Sequence, residues 1–452
     1  MKASKEVMRD ILKNYYSAKV LLYLGLFIFF EASVLAQRLE SFDSYFAGKK
    51  KQEVFQKESD HFLVQWVNPR DGVLAEALLQ YMEAARDKLK PAFGDAIDKK
   101  KVPIEIYPDL KSFSDVSKLS LSRFRATGTI ALTLDQRLMI LSPRNLVSGY
   151  SWAETAVHEY IHYLIREISP DLIPIWLHEG AAQLFQTYPI ETKAQLKPSQ
   201  WGLFKKRREA GRLLSLNTLR EPFPMRETPE EAELAYIQAF LFVRWLDEKC
   251  GVVSLIRNVE KLKSVELAIE SCVGKKMADI EKNFISDTMA KIAIPKGGEI
   301  EWYARDFSNR DPIEQEGKRA DQRARNFAQL STELYRQGRY RASGIEMEKA
   351  IAQTPVVPPS WRRQMALSLR ESGQNPEAQK LLSQLVMDYP EDAAAWYLLG
   401  LEKSLKEQWT SAWNHFLRAF YHNPFLEGLE SQMENLKMRQ PELKGRYLFE
   451  DM

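Results

Sequence analysis

His158, Glu159 and His162 stand in the order His-Glu-x-x-His, and these residue types at this spacing are suited to holding a metal ion beside a base. In a helix, residues four apart share one face and lie about 6 Å apart along the axis, so both imidazoles can reach one ion. Zinc favours nitrogen ligands in tetrahedral geometry, and a catalytic zinc keeps three protein ligands with the fourth place open for water. A third ligand is therefore required. The run Trp176-Leu177-His178-Glu179-Gly180-Ala181-Ala182 supplies Glu179 for that place. His178 competes for it, although neighbours on a helix point about 100° apart. Zinc bound there would bring the pKa of its water to about 7, and Glu159, next to a ligand, is placed to take the proton.

Two helices must position these groups. Ser151-Trp152-Ala153-Glu154 reads as a capping box that opens the first, Ala153, Val157, Tyr160 and Leu164 keep helical spacing, and Pro170 bars continuation. The second starts near Pro174, and its small residues allow the first helix to come close. Upstream, His61 to Val67 and Val102 to Tyr107 read as strands around an amphipathic helix from Leu74 to Leu89. Gly128 to Leu134 and Arg137 to Leu141, joined by Asp135-Gln136, read as a hairpin. Thr127 to Leu134 is expected to be the edge strand that pairs with an extended substrate. A small sheet followed by helices is an α+β layout.

His-Glu-x-x-His followed by Trp-Leu-x-Glu-Gly-x-Ala resembles the peptidase MA-like gluzincin metallopeptidases, over roughly residues 55 to 290. The resemblance implies a zincin-like fold, Zn²⁺ as cofactor, ligands at His158, His162 and Glu179, and Glu159 as general base. Tyr236, in the apolar run Ala235-Tyr236-Ile237-Gln238-Ala239-Phe240 that ends near Cys250-Gly251, resembles the tyrosine that points at the metal in gluzincin aminopeptidases. By that likeness it is the candidate donor to the carbonyl oxygen as charge builds there; the plainer reading is a core tyrosine bonded to backbone.

Residues 294–323 contain Pro295, Gly297, Gly298 and Pro312 among alternating charges and read as a linker. Beyond it Pro355, Pro390 and Pro424 are 35 and 34 residues apart, and Gly338, Gly373 and Glu407 keep the same intervals. Trp396, Leu399, Gly400, Ala412, Phe416, Ala419 and Pro424 resemble the tetratricopeptide repeat, and residues 324–440 are expected to form three such units in an all-α solenoid. It either binds a protein partner or braces the metal domain; on the first view a chain ending near Ala293 keeps its zinc.

The 452 residues carry 64 basic and 61 acidic side chains, so no global field argues for nucleic acid. Residues 1–36 read as a signal peptide: a basic leader, the apolar run Val20 to Phe30, and small residues at Val34 and Ala36 before a cut. This places the protein outside the cytoplasm, periplasmic or extracellular, unless the segment stays uncleaved as a membrane anchor. In an oxidising compartment Cys250 and Cys272 could be bridged or remain two separate thiols. Residues 37–293 are thus expected to be a zincin-like peptidase domain that hydrolyses peptide bonds in a peptide or protein. No acidic anchor for a free amino terminus is visible in the sequence, which leans to an endopeptidase over an aminopeptidase. The competing class is a catalytically inactive zinc-binding scaffold acting through its repeats, and Glu159 favours the enzyme.

Overall fold

The computed structural model describes residues 40–448 except 98–99, 122–128, 191–193, 224–225, 227, 296–299, 304–312 and 314–315. The expected signal segment and the first residues of the expected hairpin lie outside the described residues. Residues 40–53 with 116–118 form a small unit of their own, in which Phe42, Tyr45 and Phe46 gather their rings.

In the main unit a five-stranded sheet has the order β1 (Phe55–Glu58), β2 (Phe62–Trp66), β3 (Val102–Tyr107), β5 (Arg137–Leu141), β4 (Ala131–Leu134). Helix α1 (Gly72–Phe93) carries the chain from β2 to its parallel neighbour β3, since parallel strands need a crossover. β5 is parallel to β3, whereas the outer pairs β1–β2 and β4–β5 are antiparallel. Asp135 and Gln136 both take positive φ, 49° and 62°, as a two-residue hairpin turn matching strand twist requires. Phe62, Val64, Ile104, Ile106, Leu138 and Ile140 alternate onto the buried face with α1 and the metal-motif helix, and Phe62 meets Tyr160 edge-on at 5.2 Å.

The helices continue as α2 (Leu110–Ser117), α3 (Trp152–Ile168), α4 (Ile175–Phe185), α5 (Pro198–Glu209), α6 (Pro229–Cys250), α7 (Val252–Leu262), α8 (Val265–Val273) and α9 (Met277–Asn283). α6 ends at Gly251 with φ 75°, which only a residue without Cβ adopts at little cost. A disulfide joins Cys250 to Cys272, tying the end of α6 to α8.

Residues beyond 320 form three helix pairs: α10 (Gln322–Arg336) with α11 (Tyr340–Ala352), α12 (Pro359–Glu371) with α13 (Asn375–Asp388), and α14 (Ala393–Leu405) with α15 (Trp409–His422), followed by α16 (Leu429–Arg439). Each pair turns through a residue of positive φ, at Gly338, Gly373 and Glu407. Gly400 lets α14 lie on α15, because a Cβ there would stand 2.5 Å from the Phe416 ring. The described ends of the expected linker are not loose: Tyr389 donates its hydroxyl to the Glu301 carbonyl at 3.2 Å, and the Ser360 N–H donates to Glu316 at 2.8 Å.

The third pair also differs from a separable solenoid. Trp413, Phe416, Leu417, Phe420 and Tyr421 of α15 belong to the same buried core as the sheet and the metal-motif helix. Trp152 at the start of α3 packs on Phe420 and Tyr421 at 5.6 and 5.4 Å, and its indole N–H donates to the Phe420 carbonyl at 2.8 Å. Among the described residues no helix is long and apolar enough to cross a membrane.

Candidate metal centre

α3 presents His158 and His162 on one face. α4 brings Glu179 against them. The two Nε2 atoms are 3.1 Å apart, and Glu179 Oε2 stands 3.2 Å from His158 Nε2 and 3.5 Å from His162 Nε2. In a tetrahedral zinc site with bonds of about 2.0–2.1 Å, ligand atoms are separated by about 3.3 Å. The three donor atoms therefore already have the spacing of one face of such a tetrahedron, and the residues fit the ion. His158, Glu159 and His162 also offer ligand atoms within 4.8 Å of one another. Glu159 is nevertheless the weaker third donor, because its Oε2 is engaged at 2.7 Å by the Thr133 hydroxyl while Glu179 closes the smaller triangle.

Each imidazole is fixed from behind. His158 Nδ1 lies 2.9 Å from Gln186 Oε1, which can only accept, so Nδ1 carries the proton and Nε2 keeps its lone pair toward Glu179. His162 Nδ1 lies 3.4 Å from His178 Nδ1. His178 is thus on the far side of His162 from the triangle and does not displace Glu179. Burial, with His162 and Arg166 nearby, pushes the His178 ring down to about 3, leaving it neutral with one nitrogen able to accept from His162. Burial pushes the Glu179 carboxyl up, but the His162 charge and the hydrogen bonds from both histidines outweigh it and hold it well below the usual carboxylate range. Burial lowers His158, yet Glu179 and Glu159 together raise it above its ordinary value.

The expected capping box at Ser151 does not form. Ser151 is the N-cap of α3 but caps no backbone N–H; its hydroxyl instead pairs with His422 Nδ1 at 2.9 Å. Nor does Gly180, the first small residue after Glu179, serve the approach of α3. At Gly180 a Cβ would lie 2.6 Å from the Ala239 carbonyl oxygen and 2.4 Å from Val243 Cγ2, so the close contact is with α6. Tyr236 is three residues before Ala239 on that helix, half-buried, with its ring edge-on to Phe223 at 5.0 Å.

β4 is the outermost strand on its side of the sheet. The Leu141 N–H bonds the Ile130 carbonyl at 2.8 Å, and Ala131 and Thr133 oppose Ile140 and Leu138. Bonded and non-bonded positions alternate in an antiparallel pair, so Ala131 and Thr133 turn their backbone groups to the open edge. Sequence reading did not single out Gln186, Thr133 or Arg166. Gln186 follows Glu179 by seven residues, two helical turns on the same face, and that spacing was a usable signal; Thr133 and Arg166 gave none.

No protein-family model and no curated protein sequence matches this chain. Among solved structures it is similar to yeast LTA4 hydrolase, in its native form at 10% identity and a TM-score of 0.31, covering 86% of this chain and 63% of that one. In the complex of the same yeast protein with bestatin the values are 10% and 0.30, with 87% and 66% covered. The chain thus spans somewhat less than two thirds of those proteins. A superposition this loose carries no argument. What the fold and site themselves define is a mostly helical α+β protein with a His-Glu-His cluster suited to a metal.

Proposed function

We propose that the protein is an exported zinc metallopeptidase of the gluzincin kind, with His158, His162 and Glu179 as ligands and Glu159 as general base. The observation that carries this is the triangle of donor atoms with edges of 3.1, 3.2 and 3.5 Å, set beside a carboxylate held at an open sheet edge. Zinc bound there supplies Lewis acidity, polarising a carbonyl and making water acidic near neutral pH. Glu159 takes the proton from the attacking water and returns it to the leaving amine. The outward backbone groups of Ala131 and the outward N–H of Thr133 pair with an extended peptide, which orients the scissile bond. Tyr236, on the helix that touches α4, is the donor to the carbonyl oxygen as it gains charge.

The substrate is a peptide or protein, cleaved internally. The disulfide between Cys250 and Cys272 supports an oxidising, extracytoplasmic location. Three helix pairs, each turning at the expected 35- and 34-residue intervals, support the tetratricopeptide reading. The core that α15 shares with α3 supports a bracing role for the third repeat.

Metal analysis beside cleavage of internally quenched peptides tests the assignment. The protein should bind about one zinc; His158→Ala and His162→Ala should lose it. Glu159→Gln should keep the zinc while turnover falls about 10²- to 10⁴-fold, and Tyr236→Phe should keep it with turnover down about a hundredfold. Full activity in Glu159→Gln overturns the mechanism. Zinc-loaded protein that cleaves no peptide is a zinc-binding scaffold.

A further inference from the structure

Thr133 touches the metal-motif helix twice. Its hydroxyl lies 2.7 Å from the Glu159 carbonyl oxygen and 2.7 Å from Glu159 Oε2, and its own carbonyl accepts from Arg166 Nη1 at 3.1 Å. Thr133 and Glu159 are 8% and 7% exposed, so water competes little for these bonds. A hydroxyl has one proton and two lone pairs. It can donate to a charged carboxylate, or donate to the carbonyl while accepting from a protonated carboxyl, so the contact suits a base before and after it takes a proton.

We propose that Thr133 is a positioning residue that sets the carboxylate of Glu159 and ties it to the register of the bound peptide. The proposal rests on the peptidase reading of the same site. Glu159 has three rotatable bonds beyond its backbone, and Thr133, on a different element, holds the end of that side chain at Oε2. The same residue turns its backbone N–H to the open edge, where an extended peptide would pair, while Arg166 already takes the Thr133 carbonyl and marks where that pairing stops. Substrate backbone and base are therefore referenced to one residue. Arg166 and Glu159 sit on the same helix, so the strand is held against that helix at two points and cannot slide along it without breaking one of them.

Displacement of a catalytic group by about 1 Å can cost about a hundredfold in rate. Thr133→Val keeps the shape and removes the donor. With zinc content unchanged and KM within about threefold, its kcat should fall about 10- to 100-fold, while Thr133→Ser should stay within about threefold of the parent. An unchanged kcat in Thr133→Val, or a loss in Thr133→Ser as large as in Thr133→Val, overturns the proposal, the second because packing of the methyl group would then be responsible. Should Thr133→Val fail to fold, Thr133→Ala carries the same comparison. Binding of a peptidyl hydroxamate to the zinc-loaded protein, followed by calorimetry, reads the carboxylate without turnover, since a metal-bound hydroxamic acid gives its proton to a neighbouring base. Thr133→Val should weaken it about tenfold and Thr133→Ser should not. If the parent cleaves no peptide but hydroxamate affinity still follows Thr133, the peptidase reading fails and the positioning role stands. If affinity is indifferent to Thr133, the positioning role fails whatever the turnover.

Discussion

Which nitrogen of a histidine is left for a metal depends on what the other nitrogen is given to do. Gln186 settles this for His158, accepting from Nδ1 at 2.9 Å, and neutral His178 offers the corresponding acceptor to His162. Such partners keep the ring from turning and raise its basicity as a ligand. Gln186→Leu removes the acceptor while keeping a side chain of similar bulk at the end of α4. Zinc affinity should fall about 10- to 100-fold in a chelator competition, with the circular dichroism of the metal-free protein unchanged. Unaltered affinity would mean that packing alone holds the His158 ring.

At the scale of the element, the start of α3 depends on a partner far away in sequence. His422 is half-buried, accepts from the Ser151 hydroxyl at Nδ1, and is also hydrogen-bonded to the backbone of Pro390. Burial, then the positive charges of Lys197 and Arg418, push its ring down to about 3. The unfolded chain gives the same ring its ordinary value of about 6.5. Below about 6.5 the unfolded state therefore binds a proton that the folded state refuses, and stability is lost as pH falls through the window from about 6.5 to about 3, on the order of a few kcal/mol in all. Above that window the residue makes no pH-dependent contribution. His422→Gln should flatten this part of the acid limb, seen as a smaller drop in urea midpoint between pH 7.5 and pH 4.5. An equal drop in parent and variant would show that other groups carry it.

For the whole molecule the consequential feature is the core that runs from the sheet through α3 into α15 and α16. The expectation that a chain ending near Ala293 keeps its zinc treated the repeats as an appendage. Removing them would uncover Trp152 and Tyr81, which pack on Phe420 and Tyr421, and would leave the buried indole N–H of Trp152 without its acceptor. A large buried side chain contributes about 1.5–3 kcal/mol, and several are lost at once. A chain ending at residue 293 should therefore show a collapsed or absent thermal transition and bind zinc poorly; a cooperative transition with full zinc binding would restore the view of two independent parts. The bridge from Cys250 to Cys272 closes a 22-residue separation and contributes about 3 kcal/mol in the chain-entropy account, but it lies at the end of α6 and does not substitute for that core.

Local features were legible in the residues themselves because the backbone alone enforces them. Four-residue spacing puts His158 and His162 on one face, apolar alternation marked Val102–Tyr107 and the hairpin reading across Asp135-Gln136 marked Arg137–Leu141 at the observed bounds, and the 35- and 34-residue intervals marked where the helix pairs turn. Glu179 was legible by likeness of motif, and its distance from the histidines was not, since that depends on how α4 packs at Gly180 against α6. Whether Cys250 and Cys272 meet, that Ser151 would give its hydroxyl to His422 instead of capping α3, that His178 lies behind His162, and that Thr133 holds Glu159 were decided by tertiary structure. Each joins residues whose separation in sequence says nothing about their separation in space, and only the burial of a common core brings them together.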